Sequence, residues 1–129
     1  MHTCLICIGS NYNRKENLAL AAKWLREAFC KMTFGSVQET EPIGIANSAL
    51  FFNQLVEFRT QLDKDTVVSI LKSMEIKAGR TPEDKAQGKV ILDIDLLLFD
   101  DKVLKSEEMN RTYIIKGINE LRPHKTTTH

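Results

Sequence analysis

The sequence predicts an α+β fold: a four-stranded antiparallel sheet carrying two helices on one face, plus a C-terminal helix. Apolar runs bounded by turn residues, at 3–8 and 91–99, read as buried strands. Stretches opening at Asn13 and Asp63 repeat apolar residues at helical spacing. With two strand candidates between them, the order is strand, helix, strand, strand, helix, strand. That is the ferredoxin-like split βαβ plan, with the first and third strands central. A chain of 129 residues fits one domain, 1–129, with a disordered tail expected over 122–129.

Each element has its own reason. The first strand ends at Gly9-Ser10-Asn11, a turn signal. Asn13 followed by Glu16 resembles a capping box, and Leu18, Ala21, Ala22, Leu25, Ala28 and Phe29 form the helical stripe, with Trp24 packing beside it. Residues 34–40, stopped by Glu41-Pro42, read as an edge strand. The next strand candidate is 49–58, where Leu50, Phe52, Val56 and Phe58 alternate with Phe51, Asn53, Leu55 and Glu57. Asn53 among aromatics must find partners for both halves of its amide, from loop backbone or from the edge of a heterocycle.

Asp63 opens the second helix, whose Val67, Ile70, Leu71, Met74 and Ala78 share a face, and Gly79 ends it as a left-handed cap. Residues 80–90 show no periodicity and read as a mobile lid. After the strand at 91–99 come an Asp100-Asp101 turn and Val103-Leu104. A third helix begins around Asn110 with Tyr113, Ile114, Ile118 and Leu121, and Pro123 ends it.

Composition narrows the function. Eighteen basic and seventeen acidic residues give a formal net charge of +1, which points away from nucleic-acid and membrane surfaces. No apolar run reaches the ~18 residues of a membrane span and no leader pattern is seen, so a cytoplasmic protein is expected. The three cysteines read as reduced core residues, because Cys4 and Cys7 face opposite ways on a strand and Cys30 closes an amphipathic pattern. His2, His124 and His129 receive no role.

The strand at 91–99 carries the chemistry. Side chains alternate across a strand, so Leu92, Ile94, Leu96 and Leu98 are expected on one face and Asp93 and Asp95 on the other, about 7 Å apart. Two ionised carboxylates beside each other in apolar surroundings need a cation or solvent. Mg²⁺ is commonly held by one or two carboxylates, with water and substrate phosphates completing its shell. The alternative is a solvated face with no ligand.

The residues that extend this pattern are Ile8-Gly9-Ser10-Asn11, Thr40-Glu41-Pro42-Ile43-Gly44, Phe52-Asn53, Glu75, Gly79-Arg80, Leu92-Asp93-Ile94-Asp95-Leu96 with Leu98-Phe99, and Asn110-Arg111. In this order, across nearly the whole chain, they resemble the 6-hydroxymethyl-7,8-dihydropterin pyrophosphokinases of folate biosynthesis, also called 2-amino-4-hydroxy-6-hydroxymethyldihydropteridine diphosphokinases. The resemblance implies Mg²⁺-dependent transfer of the β,γ-diphosphate of ATP, the co-substrate, to the pterin hydroxymethyl oxygen. It implies that Asp93 and Asp95 hold two Mg²⁺ ions and, with Arg80, form the catalytic set. Thr40, Ile43 and Asn53 would read the pterin edge, and Phe51 and Tyr113 would lie along its ring. Glu75, Arg80 and Arg111 would stand at the nucleotide.

The chain departs from the family where a Trp and arginines usually precede the acid strand. Gln87 and Val90 occupy two of those places and Pro82 another, and the usual Pro-His element has no counterpart in Lys105-Ser106-Glu107-Glu108. The chain is also shorter at its C-terminus than the family pattern. Lys85 and Lys89 are the expected substitute charges at the nucleotide, as point charges rather than guanidinium forks. Two further readings stay open: a catalytically silent pterin- or nucleotide-binding homologue or partner subunit, and a ferredoxin-like interaction module. Oligomeric state is not readable.

Overall fold

The structure, a computed structural model, describes residues 1–41 and 49–122, the Lys85 side chain excepted. Expectations resting on Pro42, Ile43, Gly44 and Asn47, and on Pro123, His124 and His129, lie outside the described residues. The elements are β1 (His2–Ser10), α1 (Arg14–Ala28), β2 (Cys30–Phe34), β3 (Gln38–Thr40), β4 (Phe51–Thr60), α2 (Lys64–Lys77), α3 (Pro82–Ala86), β5 (Asp93–Phe99), β6 (Lys102–Val103), a 3₁₀ turn (Glu108–Asn110) and α4 (Thr112–Leu121).

All strand pairings are antiparallel. The sheet runs β2-β4-β1-β5-β6, with β3 also on β4, so it has six strands rather than the four expected. Of the edge strand expected over 34–40 only Gln38–Thr40 is a separate strand, β3. Phe34 closes β2, which begins at Cys30, where the helical stripe was expected to close. Between the two, Gly35 N–H donates to Leu55 O at 2.8 Å while α4 holds the next residue, Glu120 accepting from Ser36 N at 2.6 Å and Ser36 Oγ at 2.7 Å. The sixth strand, β6, folds back on β5 through Asp100, whose φ is 53°.

The main core lies between the sheet and the first two helices. Leu18, Ala21 and Leu25 of α1 and Val67, Leu71 and Met74 of α2 cover Cys4, Ile6, Ile8, Val56, Phe58 and Ile94. Burying each large aliphatic side chain contributes about 1.5–3 kcal/mol against an exposed reference, so this layer is the main source of stability. The other sheet face is not helix-free: α4 lays Ile114 on Leu5, Cys7, Leu55 and Leu97. That helix covers part of the face and leaves an open cleft beside it.

A β-bulge changes the expected alternation of β5. Leu5 pairs with Leu98 while Ile6 pairs with Leu96, so Leu97 is the extra residue. Leu96 stays with the main core, but Leu97 and Leu98 both join the α4 side. Leu98 therefore does not share a face with Leu92 and Ile94 as alternation alone requires. The acids lie before the bulge, and their side is the one expected.

Four local expectations are also corrected. Asn13 is the α1 cap by position, but it sits in the left-handed region at φ 42° with no side-chain cap bond; the nearby tie is Asn17 Nδ2 donating to Tyr12 O at 2.6 Å. Cys30 is exposed on β2 rather than in the core, whereas Cys4 and Cys7 are buried on opposite faces. Residues 80–90 contain α3 and are bonded to the β1–α1 turn, which is not the geometry of a free lid. Arg122, placed in the tail by the sequence, has its Nε donating to Glu57 Oε2 at 2.6 Å. The caps of α2 are as expected: Asp63 Oδ1 accepts from Thr66 N at 2.9 Å, and Gly79 follows the helix at φ 103°.

Candidate active site

Strand register brings the chemistry together. Gly9 of β1 lies between Asn53 of β4 and Asp93 of β5, and one step along the sheet Cys7 lies between Leu55 and Asp95. Gly9 keeps the first row open, since a Cβ there would stand 3.1 Å from Asn53 Oδ1. Over these rows is a cleft of about 180 Å³, lined by Thr40, Phe51, Asn53 and Tyr113 on one side and by Arg80, Asp93, Asp95, Glu108 and Arg111 on the other.

The aromatic side is fixed by polar ties. Asn53 is buried, and its Nδ2 donates a short hydrogen bond to Thr40 Oγ1. This orients the side-chain amide of Asn53 within the cleft wall. Gln38 Nε2 donates to Tyr113 O at 2.9 Å and joins α4 to β3, while Arg111 Nη1 donates to the Tyr113 hydroxyl at 3.2 Å. Burial raises the pKa of Tyr113, so the ring presents a neutral phenol.

The acidic side is strained electrostatically. Burial, then the charges of Asp93 and Glu108, push Asp95 up to about 7. Asp93 Oδ1 stands 2.9 Å from Arg80 Nη1, which is also 3.1 Å from Glu75 Oε1. Burial opposes the charge on Arg80, but its bond to Asp93 and the neighbouring carboxylates outweigh it and raise the pKa. Glu75 is buried, and its other oxygen accepts from Ile94 N at 2.8 Å. Desolvation raises the Glu75 pKa despite that bond.

Among the residues singled out from the sequence, Thr40, Phe51, Asn53, Arg80, Asp93, Asp95, Arg111 and Tyr113 line one cleft. Glu75 stands just behind it with both oxygens engaged by Arg80 and Ile94. Lys89 points elsewhere: its Nζ lies 4.0 Å from the Tyr12 ring centroid and 3.9 Å from Asp84 Oδ1. Ile43 and the Lys85 side chain are outside the described residues.

Sequence reasoning gave no role at the cleft to Glu108, Glu41, Cys7, Gln38 or Asn11, although Asn11 and Glu41 stand in the motifs that carry the resemblance. Asn11 Nδ2 donates to Gly88 O at 2.7 Å and its Oδ1 accepts from Val90 N at 2.6 Å, fixing the segment that brings Val90 to the cleft. The Gly-Ser-Asn turn was visible, but its partner lies 79 residues away. Glu108 gave no signal, because an isolated Glu in a charged loop is ordinary surface composition.

Fold and site define a small α+β protein with an acid- and arginine-lined small-ligand cleft on the sheet face opposite its main helical layer. The chain belongs to the 7,8-dihydro-6-hydroxymethylpterin-pyrophosphokinase (HPPK) family, whose pattern matches residues 5–123. It is 30% identical over 107 residues to a 2-amino-4-hydroxy-6-hydroxymethyldihydropteridine pyrophosphokinase of Bacillus subtilis (strain 168), covering 81% of this chain and 64% of that one. A protein of the same name from Aquifex aeolicus (strain VF5) is 28% identical over 108 residues, 83% of this chain and 67% of that one. A folate synthesis bifunctional protein of Arabidopsis thaliana is 27% identical over 107 residues, 81% of this chain and 22% of that one. The chain thus spans about two thirds of the length of the bacterial relatives and about a fifth of the plant one.

Among the described residues no helix is long and apolar enough to cross a membrane.

Proposed function

We propose that this protein transfers the β,γ-diphosphate of ATP to the hydroxymethyl oxygen of 6-hydroxymethyl-7,8-dihydropterin, a step of folate biosynthesis. One observation carries the reading: Asp93 and Asp95 share a cleft with an aromatic and amide pocket and with two guanidinium groups. Phe51 and Tyr113 both line the cleft, where a flat heterocycle would lie along their rings, with Asn53 and Thr40 supplying donors and acceptors at its edge.

Mg²⁺ fits the acid pair. Asp93 keeps Oδ2 apart from the Arg80 bond, and Asp95 has no ion pair among the described residues. Burial, then the charges of Asp93 and Glu108, raise its pKa, and a cation held at that carboxyl would oppose both effects. No cluster of three or more His, Cys, Asp or Glu side chains forms a metal cage among the described residues. Two carboxylates with water and phosphate oxygens are the kind of partial shell that Mg²⁺ takes. When bound, two Mg²⁺ ions on Asp93 and Asp95 would neutralise charge on the nonbridging phosphate oxygens.

The protein's own work is placement. Asn53, Thr40, Phe51 and Tyr113 aim the hydroxymethyl oxygen at the β-phosphorus, and Arg80 and Arg111 offset charge during transfer. The new bond joins that oxygen to the β-phosphorus. The bond from the β-phosphorus to the α,β-bridging oxygen breaks, AMP leaves, and the hydroxyl proton passes to solvent. Glu75 supports the site by holding Ile94, the residue between the two acids.

Incubating the protein with ATP, Mg²⁺ and the hydroxymethyldihydropterin should give AMP and the pterin diphosphate in equal amounts, and Asp93→Ala or Asp95→Ala should abolish both. AMP no greater than in a protein-free control would remove the catalytic claim. The alternative, a silent pterin- or nucleotide-binding homologue or partner subunit, draws on Gln87 and Val90 in the loop and on the position of Lys89. Pterin binding that ignores ATP and Mg²⁺ would favour it.

A further inference from the structure

We infer that Gln38 is a positioning residue for the heterocycle: from β3 it holds the first turn of α4, and so sets the gap between the Tyr113 ring and the wall made by Phe51 and Asn53. The inference rests on the reading of the cleft as a pterin site and names what fixes its width.

Register puts β3 at the join of the two walls. Gln38 pairs with Asn53 and Thr40 with Phe51 across the β3–β4 ladder, so both β3 side chains face the cleft side of the sheet. Each holds one wall. Thr40 Oγ1 accepts from Asn53 Nδ2, and Gln38 Nε2 donates to Tyr113 O at 2.9 Å. Gln38 itself is half-buried and outside the cleft lining, so it acts through Tyr113. Glu39, between them, faces the opposite side of the sheet and is tied to α1. Its Oε2 accepts from Arg14 Nη1 at 2.8 Å, and that guanidinium stands 3.8 Å over the ring of Phe52, the ladder partner of Glu39. The strand is held from behind while it holds Tyr113 in front.

The first turn of α4 needs that tie. Its cap residue, Arg111, makes no side-chain cap bond, and its Nη1 reaches instead to the Tyr113 hydroxyl at 3.2 Å. A helix start without a side-chain cap is prone to fray. The bonds from Glu120 to Ser36 and from Arg122 to Glu57 are at the far end, about 10 Å along the axis from Tyr113. Ile114 packs on Leu5 and Leu55, but apolar contact is non-directional and does not fix the rotation of the turn. The Gln38 bond reaches the backbone of the ring-bearing residue itself, so it fixes where the ring starts.

The test is calorimetry on the full chain with 6-hydroxymethylpterin, and separately with Mg²⁺ and α,β-methylene-ATP, beside steady-state AMP production. Gln38→Met keeps the length of the side chain and removes the donor, while Gln38→Glu keeps its shape and offers only acceptors. Both should weaken pterin binding about fivefold. The pterin KM should rise to match, with nucleotide affinity and kcat within about twofold of wild type. Gln38→Lys restores a donor and should bind pterin as the wild type does. In a Tyr113→Ala background, Gln38→Met should add no further loss, because the ring it holds is gone. Ser36→Ala, which loses a bond at the other end of α4, should leave pterin binding unchanged. Unchanged pterin affinity in the Met and Glu variants overturns the inference. Equal loss of pterin and nucleotide binding also overturns it, as damage to the fold, and so does a full further loss on top of Tyr113→Ala. Wild-type protein that binds no pterin overturns it together with the diphosphate-transfer reading, whereas absence of AMP with the expected pattern of pterin binding removes that reading alone.

Discussion

Glu75 Oε2 accepts a 2.8 Å hydrogen bond from the backbone N–H of Ile94, which ties α2 to the one residue standing between the two acids of β5. The same carboxylate reaches Arg80 through its other oxygen. A buried acid therefore sets the backbone position of Asp93 and Asp95 and the approach of the guanidinium that bonds Asp93.

Glu75→Ala leaves the Ile94 N–H without a partner and is expected to cost about 1–3 kcal/mol of stability. Glu75→Gln keeps an acceptor for Ile94 and loses only the charge toward Arg80, so it should retain most of that stability. Denaturant unfolding of the two variants checks the ordering. A Gln variant as unstable as the Ala variant would mean that the charge, not the backbone bond, matters.

Stability should depend on pH through Asp95. Its carboxyl has an ordinary value of 3.8 and in the fold is pushed up to about 7. Between those values the folded protein binds more protons than the unfolded chain, so stability falls as pH rises from about 4 to 7. Glu75, also raised, acts in the same direction. Melting curves in Mg²⁺-free buffer should show this decline in the wild type and a weaker one in Asp95→Asn. Adding Mg²⁺ should recover stability at pH 8 in the wild type and not in the variant.

Asn11→Ala removes two hydrogen bonds to the segment at Gly88 and Val90. Hydrogen exchange at the Val90 N–H should speed up well before that of β1 or β4 amides, because the opening is local. Exchange that rises uniformly across the sheet would show that Asn11 supports the whole fold instead.

Gly117→Ala should lift α4 from the sheet. A Cβ at Gly117 would lie 2.7 Å from Leu55 Cγ, and α4 carries Tyr113 into the cleft. Overpacking of this kind costs about 1–3 kcal/mol. Adding Leu55→Ala should restore the helix position while leaving its own cavity cost, so the two changes should be strongly non-additive in thermal unfolding.

Much of this was legible in the sequence. Apolar periodicity located β1, α1, α2 and the buried side of β5, because one face of each is committed to the same core. The acid pair was legible because alternation fixes which way Asp93 and Asp95 point relative to Ile94. Features that depend on distant segments meeting were not legible. The strand at Cys30–Phe34 replaces the end of the expected helical stripe, Glu120 holds Ser36 between it and Gln38–Thr40, and Tyr113 is held from Gln38. Leu98 changed faces because pairing with β1 inserts a residue at Leu97, which alternation within one strand cannot show. Glu108 entered the cleft only through the turn that precedes α4.

The extra residue at Leu97 divides β5 into two stretches of different phase, both paired with β1. Upstream, the carboxylates are locked in phase with Gly9 and Cys7; downstream, the hairpin through Asp100 follows a phase of its own. An insertion between Asp100 and Lys102, beyond the residues paired with β1, should leave the acids facing the same way. That hairpin therefore acts on the cleft only from its other end, through Glu108, Arg111 and Tyr113, which follow it in the chain and line the same cleft as the acids.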